Sequence, residues 1–285
     1  MNILLFGASG QLGQDILLTT TNSDTIVPVT HQECEIGDLD SVRKFFDLHR
    51  ADSVINSAAW TDVPGCESDD RRAFHSNALG AKYLAMAAAE FDIPILYVST
   101  DYVFDGNKTT PYVESDLPGP LNSYGLTKLM GEYYTAFNAP KSFVVRTSGV
   151  YGTHECRGKK TNFVETMLRL SKDRDTVKVV HDETLAPTYS MDLAAQILTI
   201  LKTADYGLYH AASHEQCTWF EFAEEIFRLA NVRIRLEKTT VKEFGSPVRR
   251  PAYSVLANAR LQASGLDRMR SWKEGLSDYL KKRKT

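Results

Sequence analysis

Cysteine is scarce in this 285-residue chain: Cys34, Cys66, Cys156 and Cys217 lie far apart and form no CxxC pair. That scatter excludes a disulfide framework and a thiolate zinc site, and leaves reduced, structural thiols. Apolar runs long enough to span a bilayer are also missing, and no basic leader precedes the first apolar run. A soluble, cytoplasmic protein without a membrane partner is expected. Neither sign of charge dominates: 33 Lys and Arg against 36 Asp and Glu leave a formal net charge of -3. The single basic block, Lys281-Lys282-Arg283-Lys284, reads as a solvated end, so no nucleic-acid surface is expected.

What the chain does contain is alternation. Short apolar runs at 2–6, 25–29, 53–56, 94–99, 142–147 and 207–211 read as strands. Helical patterns near 11–20, 39–49, 73–91, 122–137, 161–172, 190–202 and 218–230 fall between and after them. The order implies parallel crossover units, hence an α/β fold with a doubly wound parallel sheet covered on both faces. The segment Asp105–Asn122, rich in Gly, Pro, Asp and Thr, reads as a loop near the strand ends, where such sheets bind ligands. From Tyr151 onward the irregular stretches imply a smaller interleaved lobe. Residues 1–150 with about 190–212 are expected to bind a dinucleotide, and about 151–189 with 213–285 a substrate.

The run Ile3-Leu4-Leu5-Phe6 leads into Gly7-Ala8-Ser9-Gly10-Gln11-Leu12-Gly13, a GxxGxxG pattern between first strand and first helix. Glycines let the backbone approach a pyrophosphate, whose charge is stabilised by amides at the helix start. A packing turn is the bland alternative; its place after a strand favours a Rossmann-type cofactor loop. The second strand ends Pro28-Val29-Thr30-His31, without the acid that commonly meets an NAD ribose, which points toward NADPH while leaving NADH open. Asp38, next to Leu39, either meets the adenine edge or caps the helix, and the two roles can coexist. Ala58 and Ala59 supply small residues where a flat cofactor must pass.

Tyr124 and Lys128 are four residues apart, so a helix puts both on one face and the ammonium can stabilise a phenolate. Carbonyl reduction needs a hydride at carbon and a proton at oxygen; Tyr124 suits the acid, Thr100 can hydrogen-bond the same oxygen, and Lys128 can also hold the nicotinamide ribose. A lone YxxxK pair is weak, but Gly7, Thr100 and Tyr124 follow the chain order of one site. His210 and His214 lack further metal ligands, so core or loop hydrogen bonding is expected of them and no catalytic metal.

With these motifs in place the chain resembles the dTDP-4-dehydrorhamnose reductase family of extended short-chain dehydrogenases/reductases. The likeness extends through Ala58-Ala59-Trp60-Thr61-Asp62-Val63, Asn77-Ala78-Leu79-Gly80 and Ser99-Thr100-Asp101-Tyr102-Val103-Phe104-Asp105-Gly106. It continues in Arg146-Thr147-Ser148, Ala186-Pro187-Thr188-Tyr189, Trp219-Phe220-Glu221-Phe222-Ala223 and Arg250-Pro251-Ala252-Tyr253-Ser254. The resemblance implies NADPH-dependent, or sometimes NADH-dependent, reduction of the C4 carbonyl of a dTDP-4-keto-6-deoxyhexose, with Thr100, Tyr124 and Lys128 catalytic. Asp101, Tyr102, Asn162, Arg250 and Tyr253 become candidate substrate contacts, since amide, guanidinium and aromatic groups suit phosphate and base. A homodimer is compatible with it. Gly149 stands where the resemblance leads one to expect an aromatic, and Glu183-Thr184-Leu185 where it implies Gln-x-Gly. Met191 stands at an acidic position some members use for interface magnesium, so that metal is not carried over. A sugar-nucleotide epimerase or dehydratase would share the loop and YxxxK, and a noncatalytic dinucleotide-binding regulator would keep the fold alone.

Overall fold

The structure is a computed structural model, described over residues 1–20, 24–154 and 161–283; Cys156 and Lys284 lie outside the described residues. Among the described residues ten strands run in chain order: β1 Asn2–Phe6, β2 Thr25–Val29, β3 Ser53–Asn56, β4 Ile95–Thr100, β5 Ser142–Thr147, β6 Thr176–Val180, β7 Thr184–Leu185, β8 Gly207–His210, β9 Cys217–Thr218 and β10 Arg235–Thr239. Six of them form one parallel sheet in the order β2-β1-β3-β4-β5-β8. The order reverses beside β1, the topological point at which open α/β sheets bind ligands beyond their carboxyl ends.

Successive side chains of a strand face opposite ways, and here both faces are dry. Ile3 and Leu5 of β1 join Ile55, Leu96, Phe143 and Val145 in a core under the Gln11–Thr19 and Ser190–Leu201 helices. Leu4 and Phe6 turn to the other face and pack with Val42, Phe46, Leu84 and Ala88 from the Leu39–Leu48 and Gly80–Glu90 helices. That explains why the strands read as continuous apolar runs instead of alternating ones. The interleaved lobe has its own core, in which Val164, Met167, Val177, Phe222, Ile226, Trp272 and Leu276 are buried. It carries the parallel pair β6–β10 and the antiparallel pair β7–β9.

The expected 73–91 helix is interrupted. Asp70–Phe74 and Gly80–Glu90 are α-helical, with a π-helical turn at His75–Leu79 between them. Such turns recur at functional sites. This one projects Asn77, whose Oδ1 accepts from the Trp60 backbone at 2.8 Å and whose Nδ2 donates to the Trp60 carbonyl at 3.1 Å. The loop after β3 is thereby fixed. The terminal basic run is not simply solvated: the Trp272–Lys282 helix ends there and Arg283 binds both oxygens of Glu165 at 2.7 Å.

The Ser123–Asn138 helix lies on the sheet with almost no gap. A Cβ on Gly131 would meet the Tyr97 hydroxyl at 2.3 Å and the Asn77 carbonyl at 2.5 Å. Overpacking a close-packed interior forces backbone shifts. Gly131→Ala is therefore expected to cost about 1–3 kcal/mol, read as a lowered urea midpoint; an unchanged midpoint would mean that the helix sits less tightly.

Candidate active site

The chain leaves β1 at Phe6 and turns at Gly7, whose φ is +83°. A side chain there would start 2.6 Å from the Ala58 amide nitrogen, and one on Gly13 would start 2.3 Å from the Gly7 carbonyl oxygen. Glycine is needed at both positions, at Gly7 for the sign of φ and at each for the close approach. The Gly10 amide donates to Gly7 O at 2.9 Å, and Gly10 caps the Gln11–Thr19 helix with no side-chain cap bond. The first-turn amides and the positive end of the helix dipole thus face outward as an anion cradle.

A cavity of about 490 Å³ begins at this cradle and runs to the Tyr124–Lys128 pair, lined in turn by Gly7, Ser9, Gly10, Gln11, Leu12 and Gly13, by Ala58 and Ala59, and by Thr100, Asp101, Tyr102, Tyr124 and Lys128. A volume of this order is typical of cofactor and small-molecule sites. The bare cradle and the small residues at 58 and 59 fit an extended dinucleotide. Asn162 also lines the cavity, although its amide is occupied: it caps the Phe163–Asp173 helix through Glu165 and donates to Gly152 O at 2.8 Å.

Four expected contacts fall elsewhere. Asp38 and Leu39 do not line the cavity; the Asp38 carboxylate caps the Leu39–Leu48 helix through the amides of Asp40 and Ser41, and Ile36 takes the lining place. Arg250 and Tyr253 flank the lining residues Pro251 and Ser254 without reaching the cavity themselves. Tyr253 donates its hydroxyl to Gln216 at 2.7 Å. Arg250 is half-buried, with its Nε buried and unpartnered, and its charge is felt by Glu183 and Tyr102.

Lys128 is fully enclosed. Its Nζ donates to the Val98 carbonyl at 2.6 Å and lies 4.1 Å from the centre of the Tyr97 ring. Burial drives its pKa down to about 7, opposed by the negative charge of Glu132 one helical turn on. Glu132 is itself clamped: Arg146 binds its two oxygens at 2.9 and 2.6 Å, and the Ser99 hydroxyl donates to it at 2.5 Å. Tyr124, a turn before Lys128, meets Tyr102 edge-on with ring centres 5.8 Å apart.

Two further carboxyls surround this centre. Asp101 is buried, which raises its pKa, while the hydroxyls of Ser254, Ser148 and Thr100 hydrogen-bond to it and pull the other way. The Thr100 hydroxyl donates to Asp101 Oδ1 at 3.0 Å, so turning it onto a ligand oxygen means giving up that bond. Glu183, from the lobe, is also raised by burial, with Arg250 opposing, and accepts from the Trp219 indole at 3.0 Å. Sequence reasoning noted Glu183 only as a departure and missed its placement, because no spacing rule links residue 183 to residue 101. Gly149 has φ +54°, and a Cβ there would lie 2.8 Å from Leu185 Cδ1. Leu185 occupies the ground an aromatic at 149 would need.

Among the described residues no group of three or more His, Cys, Asp or Glu side chains is arranged to hold a metal ion. His210 is buried with its pKa pushed to about 3 by burial, and its Nδ1 lies 3.1 Å from the carbonyls of Tyr112 and Ala257. His214 instead pairs with Asp267 at 3.3 Å. Among the described residues no helix is long and apolar enough to cross a membrane.

An uncapped glycine loop at the switch point, joined by one cavity to a Tyr–Lys pair on a single helix, defines the extended short-chain dehydrogenase/reductase class. The RmlD substrate binding domain family matches residues 1–285. A dTDP-4-dehydrorhamnose reductase of Clostridium acetobutylicum ATCC 824 is 40% identical, with 99% of each chain covered and a TM-score of 0.95. The dTDP-4-dehydrorhamnose reductase of Bacillus anthracis str. Ames, solved in complex with NADP, is 35% identical over 98% of each chain with a TM-score of 0.94. A spore coat polysaccharide biosynthesis protein of Bacillus subtilis, SpsK, is 36% identical over 282 residues, 99% of this chain and 97% of that one. The chain belongs to the RmlD family, that of the dTDP-4-dehydrorhamnose reductases.

The depressed Lys128 has a thermodynamic signature. The unfolded chain keeps this proton up to about 10.5, the folded chain only to about 7. Between those values the unfolded state binds more protons, so this group's contribution to stability rises with pH. Urea unfolding from pH 7 to 10 should show wild type gaining stability relative to Lys128→Met; a constant difference would place the ammonium in wetter surroundings.

Proposed function

We propose that this protein reduces the C4 carbonyl of a dTDP-4-keto-6-deoxyhexose, dTDP-4-dehydro-L-rhamnose to dTDP-L-rhamnose, with NADPH or NADH as donor. The observation that carries the reading is the single cavity joining the Gly7–Gly13 cradle to Thr100, Tyr124 and Lys128. In this reading, when bound, the dihydronicotinamide supplies the hydride that reaches C4. The loop amides bind its diphosphate. Lys128, held by Val98 O, positions the ribose and in its protonated form sets positive charge beside Tyr124. Tyr124 donates its phenolic proton to the C4 oxygen as that oxygen becomes negative, and the adjacent ammonium stabilises the phenolate left behind. Thr100 steadies the same oxygen, with Asp101 holding its hydroxyl in place beforehand.

The lobe built on residues 151–189 and 213–285 receives the nucleotide sugar, with Asn162, Tyr102 and Asp101 at the cavity and Arg250 beside it. Residues 1–150 with 190–212 hold the dinucleotide. A soluble nucleotide sugar places the work in the cytoplasm, in polysaccharide precursor synthesis, and a homodimer is compatible with this arrangement. The Gly149–Leu185 exchange alters the wall of the sugar site, so the sugar isomer is where this chain has most room to differ.

The test is NADPH and NADH oxidation with enzymatically generated dTDP-4-keto-6-deoxy-L-mannose and identification of the product. Tyr124→Phe should lower kcat by about 10²–10⁴-fold with cofactor affinity unchanged. Full turnover in Tyr124→Phe would remove this residue from proton transfer, and cofactor binding without oxidation in the wild type would overturn the reductase reading for this sugar.

A further inference from the structure

The lobe wall of the cavity presents an acceptor that the protein itself leaves unused. Glu183 is 6% exposed and lines the cavity. Its Oε2 accepts from the Trp219 indole at 3.0 Å, whereas its Oε1 takes no hydrogen bond from any described residue and is not sealed in the interior, so the open side it meets is the cavity. The backbone on both sides of this carboxylate is held. The Thr184 amide donates to Ala252 O at 2.8 Å, the Ser254 amide donates to Thr184 O at 2.9 Å, and Thr184 pairs with Thr218 of β9. Asp182, on the other side, accepts from the Val241 amide at 2.9 Å. Trp219 is fixed too: it opens the Trp219–Leu229 helix behind a Thr218–Glu221 capping box, with its ring centre 4.5 Å from that of Phe163.

Glu183 belongs to the Tyr124 end of the cavity. It feels the negative charge of Asp101, and Tyr102, which meets Tyr124 edge-on, feels the charge of Glu183. A nucleotide sugar with its C4 carbonyl at Thr100 and Tyr124 therefore brings its ring, with the free hydroxyls at C2 and C3, to this oxygen.

We propose that Glu183 is a specificity-determining residue of this site, its Oε1 accepting a hydrogen bond from a ring hydroxyl of the sugar. The inference rests on the reductase reading and goes beyond it by naming the group that reads the ring. An acceptor shut away from water is costly to leave without a donor, so a site built in this way rejects a ligand lacking the hydroxyl. Leu185, two residues on, lines the same wall with an apolar side chain and offers no substitute bond.

The test compares kcat and KM of the full chain for the dTDP-4-keto-6-deoxyhexose and for its 2-deoxy and 3-deoxy analogues, with saturating NADPH or NADH. The wild type should disfavour one of the two analogues by about 100-fold or more in kcat/KM. Glu183→Gln keeps an oxygen for Trp219 and turns its amide nitrogen to the cavity, replacing a charged acceptor by a donor. It should raise KM for the parent sugar about tenfold with kcat within about threefold, and shrink the preference for the hydroxyl about tenfold, at unchanged dinucleotide affinity. A wild type that uses both analogues within about threefold of the parent overturns the assignment, as does a Glu183→Gln variant that binds dinucleotide and keeps the full preference. Should the variant lose the dinucleotide as well, the wild-type comparison decides alone. Absence of turnover with every one of these sugars in the wild type would instead overturn the reductase reading, and the inference with it.

Discussion

An ammonium shut away from water costs several kcal/mol unless fixed partners surround it, and this structure is arranged around one. Lys128 has a carbonyl at its tip, an aromatic face beside it and a carboxylate one turn along its helix. That carboxylate would be a poor neighbour if it could swing. Arg146 from β5 and Ser99 from β4 occupy both its oxygens, so Glu132 acts on Lys128 through its field without capturing it. Breaking such a buried pair by removing one partner costs about 3–5 kcal/mol, which is why the helix, the two strands and the lysine must be treated as one unit.

The same registry carries the geometry to the other end of the site. β1, β3, β4 and β5 are neighbours in one parallel sheet, so the loops leaving Phe6, Asn56, Thr100 and Thr147 all open at one edge. Gly7 lies against Ala58 because β1 and β3 are hydrogen-bonded side by side and the loops after them have no separate space. Asn77 then pins Trp60 from the π-helical turn and donates to Thr127, between Tyr124 and Lys128 in the chain. Phosphate cradle and proposed proton donor are thus linked through protein at every step, and the distance between them is a property of the sheet.

The parts of this design that repeat at short range were legible in the sequence. The six sheet strands, the GxxGxxG turn and the Tyr124–Lys128 spacing are local patterns, and the structure places them as expected to within a residue or two. What escaped depends on chain segments far apart. Glu132 and Arg146 lie 14 residues apart on different elements, and Glu183 reaches the reaction centre from a lobe whose strands β6, β7, β9 and β10 are short or polar on one face. Asp38 shows another limit of local reading: an acid at a plausible position whose Oδ1 is spent on a helix cap and which does not line the cavity.

The reaction centre also explains why the chain needs the lobe. Asp101 and Glu183 both have their pKa values raised by burial; Ser148 and Ser254 hydrogen-bond to Asp101, while Glu183 feels the negative charge of Asp101 and the opposing charge of the Arg250 guanidinium. Ser148 comes from the sheet domain, whereas Ser254, Arg250 and Glu183 come from the lobe, so the local charge balance exists only when the two halves are assembled. Leu185 reaching the ground beside Gly149 is the apolar counterpart of this arrangement. In the proposed mechanism a change of sugar would need no change in Thr100, Tyr124 or Lys128, but exchanges at positions such as 149, 183 and 185, which line the same cavity from the other side of the lobe contact.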